Sequence, residues 1–322
     1  MVEICGKSYK VVDAHAHVWN NYNGMRFGNT PIEKIGNGRI RVGKDEMDFI
    51  PAEFTDYKVL VEYLEAYMTF SGVDRACILQ NPCYGDQREY VGEIVKKNPK
   101  KFVSFGKVDP RDRDTVVSQI DDLMDNYGNI GIKLEIPDVP FKMDDPSYDF
   151  MWKYMQDKDG IVAMDLGWGT GKYDFNIEEL TNVVKKYPKM KLMLCHMGVS
   201  RLWDLNQKYP YPYLTKTLKL LDTNKDNLYL DMAMVPQANV ADEYPFYRGQ
   251  EIMRYVKSFC GFDRIMWGSD FPSVLLHCTY KQSLDFVTKC CPFLTEDDLA
   301  GILGKNAIRF LFKDETEGRG NR

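Results

Sequence analysis

Two histidines, two positions apart, have the spacing in this chain that most clearly suits chemistry. His15 and His17 end the segment Val-Val-Asp-Ala-His-Ala-His, whose apolar start is typical of a β-strand. Side chains at positions i and i+2 of a strand point to the same side, so both imidazoles can face one point. Two neutral imidazoles aimed at one point suit a borderline divalent cation such as Zn2+. The pair therefore predicts a metal site.

Two more polar side chains end other apolar segments. His196, one of only four histidines, follows Leu-Met-Leu-Cys, and Asp270 follows Met-Trp-Gly-Ser. Imidazoles and carboxylates are both metal ligands and proton carriers. If His15, His17, His196 and Asp270 each had a purely structural role, their common location at strand ends would be a coincidence. We expect all four at one site.

The elements that position these side chains alternate along the whole chain. Short β-branched or apolar segments are separated by longer segments with helical spacing, which is typical of βα units on a parallel sheet. Eight such units close a barrel more naturally than they form an open sheet, although doubly wound folds share the pattern. We predict an α/β fold, a single (β/α)8 barrel domain over residues 1–322. The predicted strands are 9–14, 75–80, 102–108, 131–136, 161–166, 191–195, 228–232 and 264–267.

Two connections are longer than most loops in α/β units. The first, about 19–54, is an insertion rich in Gly and Asn after the first strand, and residues 39–42 in it suggest a small hairpin. The second runs from 231 to about 249. Both leave the ends of strands where barrel active sites are built, so a lid and a surface decoration are equal alternatives for each. A helix at about 296–314 is expected to close the fold.

The amino-acid composition limits the kinds of molecule that the protein is expected to bind. The formal net charge is -5 and the pI is about 5.6, which argues against binding to nucleic acid or to an anionic membrane surface. The first ten residues contain no apolar signal-like segment, and no apolar run is long enough to span a bilayer. We therefore expect a cytoplasmic protein with a small-molecule substrate.

Four motifs together give a family resemblance. His15-Ala-His17, Leu-Cys-His196-Met-Gly, Trp-Gly-Ser-Asp270-Phe-Pro and the closing Leu-Gly-Lys-Asn306-Ala-Ile-Arg-Phe-Leu resemble the amidohydrolase superfamily. Within it they are similar to the amidohydrolase-related branch, which contains aminocarboxymuconate-semialdehyde decarboxylase, resorcylate-type decarboxylases and lactonases. The resemblance extends from the first strand to the terminal helix. It is specific for the superfamily and much less specific for the substrate.

The resemblance implies roles for these residues. His15, His17 and Asp270 become ligands of one divalent metal, Zn2+ or alternatively Mn2+, and His196 becomes an acid or base, with a ligand role as a further alternative. The decarboxylases commonly carry another metal-binding histidine at the end of strand five, where this chain has Asp165. Asp165 is then a ligand, an orienting group or a substrate contact. This departure resembles the lactonases, some of which act without a tightly held metal.

Further side chains are candidates for binding the substrate. Lys133 at the fourth strand can pair with a carboxylate or lie in solvent, and Arg248 after the seventh strand can grip a carboxylate through two hydrogen bonds. Trp19 and Trp168 follow strand ends, where their rings either wall a flat substrate or pack within loops.

Three functions follow from these expectations. The first is metal-dependent hydrolysis of a small carboxylated metabolite, a lactone or another cyclic ester or ketone. In it the metal activates water, Asp270 shuttles the proton, and His196 stabilises the oxyanion or acts as acid or base. The alternatives are non-oxidative decarboxylation of an aromatic or dienoic acid and a catalytically silent metabolite-binding barrel. A homodimer is an expectation from the family alone.

Overall fold

Eight parallel strands form the central sheet of this protein, in the order of the chain. The computed structural model describes residues 1–167, 175–199, 209–224, 226–235 and 242–312. The strands are β1 (Val12–Ala16), β2 (Arg75–Leu79), β3 (Phe102–Lys107), β4 (Gly131–Glu135), β5 (Ile161–Asp165), β6 (Lys191–Leu194), β7 (Leu228–Asp231) and β8 (Ile265–Met266). The predicted barrel is confirmed. The first barrel strand begins later than predicted, because Lys7–Tyr9 pairs with Val2–Ile4 in a separate hairpin.

The strands are buried on both faces, as the continuous apolar runs require. Side chains on one face, including Val12, Ala14 and Ala163, form an inner core with residues of the C-terminal segment, Ala307 and Phe310 among them. The opposite face packs against the surrounding helices. In the described residues these are α1 (Val61–Ser71), α2 (Arg88–Lys97), α3 (Val116–Asp121), α4 (Asp149–Asp157), α5 (Ile177–Lys186), α6 (Pro212–Thr223), α7 (Tyr247–Cys260), α8 (Tyr280–Asp285) and α9 (Glu296–Ala300).

The last strand returns to the first and nearly closes the barrel. The Ala14 N–H donates to the Trp267 carbonyl at 2.9 Å, and the Asp270 N–H donates to the His15 carbonyl at 2.8 Å. A Cβ on Gly268 would lie 2.7 Å from the Cβ of His15, so only glycine allows this approach of β8 to β1. The closure therefore brings the ends of the first and last strands side by side.

The insertion after β1 is more regular than its composition suggested. It contains an antiparallel sheet of four strands, Met25–Arg26, Thr30–Gly36, Arg39–Val42 and Asp45–Asp48. The hairpin expected around 39–42 is thus part of a larger meander. Its base is fixed by the side chain of Trp19, which donates through Nε1 to the Tyr57 carbonyl at 2.7 Å.

The C-terminal segment covers the opposite end of the barrel. The helix that begins at Glu296 continues as wider turns over Gly301–Lys305 and Ile308–Phe312, close to the expected 296–314. The N–H of Trp267, directly after β8, donates to the Ile302 carbonyl of this segment. Across the described ranges, no helix combines the length and apolar character needed to span a membrane.

Candidate active site

A cavity of about 330 Å3 opens at the C-terminal ends of the barrel strands. Its floor is polar, with His15, His17, His196 and Asp270 from three strand ends. The four residues that the sequence singled out therefore lie in one pocket. The structure places them at the face where barrel enzymes carry their active sites.

Both strand-one histidines are held by their Nδ1 atoms. Nδ1 of His17 lies 2.7 Å from the Leu79 carbonyl, which can only accept, so this nitrogen carries the proton. Nδ1 of His15 lies 3.0 Å from Oδ2 of Asp231. Although burial alone would raise the pKa of Asp231, its contacts with His15 lower the pKa, so the carboxylate is ionised and Nδ1 of His15 donates to it. Burial lowers the pKa of His15 itself, which favours the neutral ring. With the proton on Nδ1, the Nε2 atom of each ring has a free lone pair that can bind a metal ion.

These lone pairs converge with a carboxylate. The two Nε2 atoms are 3.1 Å apart, and Oδ1 of Asp270 lies 3.0 Å from that of His17 and 3.5 Å from that of His15. Three acceptors at this distance repel one another unless a cation lies among them. Donors at 2.0 to 2.1 Å from a tetrahedral zinc ion are about 3.3 Å apart. The three donor atoms thus fit a divalent metal, as the donor types also do.

A buried network places Asp270 opposite the histidines. The carboxylate of Asp13 accepts from the backbone N–H groups of His15 and Ser269, from the Ser269 hydroxyl at 2.6 Å and from the Tyr280 hydroxyl at 2.8 Å. Asp270 itself has φ +60°, a conformation that costs energy for a side chain with Cβ. The carboxylate is therefore held in a fixed position.

His196 faces acceptors with both of its ring nitrogens. Nδ1 lies 2.8 Å from the Ala233 carbonyl, and Nε2 lies 3.4 Å from Oδ2 of Asp165. Burial alone would lower the pKa of His196, but the hydrogen bond and charge of Asp165 raise it to about 10. One nitrogen is also within 4.8 Å of the His15 and Asp270 donors, so a ligand role is geometrically open. The pairing with Asp165 favours a protonated acid.

Lys133 and Glu135 form a second pair beside this centre. Both line the cavity, both are 1% exposed, and Nζ of Lys133 donates to Oε2 of Glu135 at 2.9 Å. Burial and the nearby Asp165 raise the pKa of Glu135 to about 8. Lys133 is thus a buried pocket residue and not a solvated one. Glu135, which the sequence analysis did not single out, lies at i+2 on the same strand, so the strand period alone could have found it.

Other predicted substrate contacts lie elsewhere. The ring of Trp19 is fully buried and stacks on Tyr84 with centroids 4.1 Å apart, so it stands behind the pocket wall that Tyr84 forms. Arg248 is exposed on the first turn of α7 and does not line the cavity as described. Trp168 lies outside the described residues. Their contact with a substrate stays a prediction.

The insertion contributes residues that no sequence pattern indicated. Arg26 lines the cavity, is 2% exposed and lies with its Nε 3.2 Å from Oδ1 of Asp138. Met47 and Phe49, at the far end of the meander, also line it. The alternation at Arg39–Val42 does not extend to Arg26, Met47 and Phe49, so no local pattern predicts that these side chains face the cavity.

Comparison with known proteins identifies the family. A family model described as amidohydrolase matches residues 12–313. A curated relative, L-fucono-1,5-lactonase of Burkholderia ambifaria, is 22% identical in an alignment of 320 residues that covers 95% of this chain and 97% of that protein. The match to the family model covers the barrel and all four motifs.

Solved structures share the fold at low identity. A probable 2-pyrone-4,6-dicarboxylic acid hydrolase of Acinetobacter baumannii with bound citric acid has a TM-score of 0.68 and 16% identity, covering 94% of this chain and 98% of its own. An amidohydrolase of Burkholderia multivorans with bound zinc has a TM-score of 0.68, 15% identity and the same two coverages. The 5-carboxyvanillate decarboxylase of Sphingomonas paucimobilis has a TM-score of 0.57 and 16% identity, covering 79% and 83%. These similarities agree with the barrel fold.

Proposed function

The chain belongs to the amidohydrolase family, and within it we propose a metal-dependent hydrolase that opens a small carboxylated lactone or related cyclic ester. The observation that carries the proposal is the convergence of Nε2 of His15, Nε2 of His17 and Oδ1 of Asp270 within 3.0 to 3.5 Å. The curated lactonase relative and the named hydrolase among the solved structures support this reaction class.

The three donors would hold one divalent cation, for which Zn2+ suits the nitrogen and oxygen ligands best. Such an ion supplies Lewis acidity for an ester carbonyl or for water. Asp231 and the Leu79 carbonyl keep the two histidines in the tautomer that presents Nε2 to it. The zinc-containing amidohydrolase of similar fold supports this assignment.

Asp270 is placed to move the proton in this reaction. Its side chain is 13% exposed, the opening being toward the cavity, so a water molecule can reach the carboxylate. As the water oxygen bonds to the carbonyl carbon, Asp270 accepts a proton and returns it to the ring oxygen when the acyl bond breaks. The product is the open hydroxy acid, and no further reactant is needed.

His196 supplies positive charge on the other side of the carbonyl. Its ring centroid lies 4.7 Å from that of His15, and its pairing with Asp165 keeps it protonated. A fixed cation of this kind stabilises the oxyanion that develops during attack. Lys133 lines the same cavity and provides a second positive group for an anionic substrate.

Non-oxidative decarboxylation is the second candidate. It is favoured by the charge on His196, because an imidazolium at the cavity floor can protonate a ring carbon after loss of carbon dioxide. The absence of a histidine at the position of Asp165 disfavours it, since the decarboxylases commonly have one there.

A single panel separates the two reactions. The zinc-loaded protein is incubated with lactones and with hydroxylated aromatic acids, while ring opening and carbon dioxide are both measured. Ring opening that is lost in Asp270→Asn and retained in Asp285→Asn supports hydrolysis. Asp285 serves as the control because its carboxylate, on α8, binds Lys281 and Lys289. Release of carbon dioxide without ring opening would refute it.

A further inference from the structure

The insertion after β1 forms one wall of the cavity and is anchored firmly. Asp138, in the loop after β4, accepts from Nε of Arg26 at 3.2 Å and from the Phe27 N–H at 3.0 Å, and its carbonyl accepts from the Gly28 N–H. A Cβ on Gly24 would lie 2.0 Å from the Pro82 carbonyl oxygen, so the chain there packs tightly against the loop after β2. The insertion therefore presents a fixed surface.

Arg26 is the cation that this surface brings to the cavity. Burial alone would lower the pKa of Arg26, but the charge of Asp138 raises it, so the guanidinium remains charged. Asp138 holds the group from its Nε side. A guanidinium is a planar fork of five donors, which matches the two oxygens of a carboxylate. Arg26 and Glu135 line the same cavity, and the charge of Glu135 also raises the pKa of Arg26.

Apart from Asp48, Asn81 and Ser273, the remaining walls formed by the described residues are largely apolar. Phe49 of the insertion and Tyr84 of the loop after β2 have ring centroids 6.4 Å apart, and Tyr84 lies 5.3 Å from the ring of His17. Next to His196, the described lining on the side of β6, β7, α6 and α7 is aliphatic. It is formed by Met197, Val199, Leu214, Met234, Val235 and Ile252. A hydroxyl group held against such a wall loses its hydrogen bonds to water and gains none.

We infer that the insertion determines substrate specificity: Arg26 binds the substrate carboxylate, and Phe49 with Tyr84 flanks a planar ring whose far side lies on the aliphatic wall. The inference deepens the proposed function and rests on it for the reaction, although the binding it describes can be measured separately. It predicts that polyhydroxylated sugar lactones, the class to which the name of the curated relative refers, are poor substrates here.

Binding of an unreactive planar acid tests the inference without turnover. Titration calorimetry compares 2-naphthoate with 2-naphthamide, which differ in charge and have nearly the same shape, on protein treated with a chelator and again on zinc-loaded protein. We expect the acid to bind roughly 10- to 100-fold more tightly in both states, the range for a charge-assisted contact. If the preference for the acid is present in the zinc-loaded protein and absent after treatment with the chelator, the inference is overturned, because the carboxylate then binds the metal.

Variants of the insertion show which side chain causes the tighter binding of 2-naphthoate. In Arg26→Met the ratio should fall by about tenfold, to the preference that His196 and Lys133 alone provide. In Arg26→Lys, which keeps a charge opposite Asp138, it should fall several-fold because the planar fork is lost. Arg39→Met is the matched control, since Arg39 lies half-exposed on the same insertion and pairs with Glu46. Phe49→Ala should weaken both ligands about tenfold and leave their ratio unchanged. A wild-type ratio in folded Arg26→Lys would overturn the assignment.

Turnover of two lactones tests the apolar part. The ratio of kcat/KM for coumarin-3-carboxylate over L-fucono-1,5-lactone should be at least about 100, because a sugar ring loses several hydroxyl hydrogen bonds on this wall. A preference for the sugar lactone would overturn the inference and leave hydrolysis intact. If neither ring opens while the naphthoate preference stands, the proposed function fails and the assignment of Arg26 is supported.

Discussion

Replacing Asp231 by asparagine should weaken metal binding without removing a ligand. Oδ1 of Asp231 accepts from the backbone N–H groups of His196 and Ala233, both at 3.0 Å, so the amide oxygen of an asparagine must occupy that position. Its NH2 group then faces Nδ1 of His15, 3.0 Å from the replaced oxygen. Two donors cannot bond, so His15 changes tautomer and its proton moves to Nε2, the atom that faces the metal.

The size of the effect follows from the role of the lost acceptor. Removing a carboxylate that orients a metal-binding histidine typically costs 10- to 100-fold in affinity, about 1.4 to 2.7 kcal/mol. The stricter orientation imposed by two backbone donors predicts the upper part of this range. The zinc dissociation constant is measured by competition with a chromophoric chelator, and Asp285→Asn serves as the control.

The tautomer provides an independent readout. In nitrogen-15 spectra of the imidazoles, His15 should carry its proton on Nδ1 in the wild type and on Nε2 in Asp231→Asn, while His17 stays unchanged because its partner is the Leu79 carbonyl. A variant with wild-type zinc affinity and an unchanged His15 tautomer would refute the reasoning from this hydrogen bond.

Four other outcomes are expected. Asp270→Asn should lower kcat by ~1,000-fold or more and weaken zinc binding, as steady-state kinetics and chelator competition will measure, because one residue provides both ligand and proton carrier. His196→Gln should lower kcat by ~100- to 1,000-fold while zinc affinity is retained; a large loss of zinc would instead make His196 a ligand. Gly268→Ala should cost ~1–3 kcal/mol in urea unfolding, because the new Cβ meets that of His15 at 2.7 Å. Removal of zinc by a chelator should lower the Tm, and its return should restore it, because the ion binds only the folded arrangement of donors.

Periodicity made the barrel and its central residues accessible from the sequence. Each strand is a short apolar run buried on both faces, and a polar residue at its end is conspicuous, as His15, His196 and Asp270 are. Asp13, a buried carboxylate inside the same apolar run, could have been singled out for the same reason. The predicted first strand began too early because Tyr9 is apolar and buried, although it belongs to the terminal hairpin.

The residues of the insertion that reach the cavity could not be predicted from the sequence in the same way. Arg26 reaches the cavity because Asp138, more than a hundred positions away, fixes it from another loop, and no local pattern encodes that contact. For Trp19, the position after a strand end left two alternatives open, a wall of the substrate pocket or packing within the loop. Its ring stacks on Tyr84 and donates to the Tyr57 carbonyl, because a meander of this size requires apolar support.

The contact between β1 and β8 joins two properties that are usually treated separately. His15 and Asp270 are neighbours where the barrel closes, and the Asp270 N–H donates to the His15 carbonyl. The carboxylate of Asp13 also accepts from the N–H groups of His15 and of Ser269, which precedes Asp270. An ion that binds both side chains therefore also cross-links the first strand to the last. Opening of this seam and loss of the ion become one event, so amide exchange at Ala14, His17 and Asp270 should report metal occupancy from the scaffold itself.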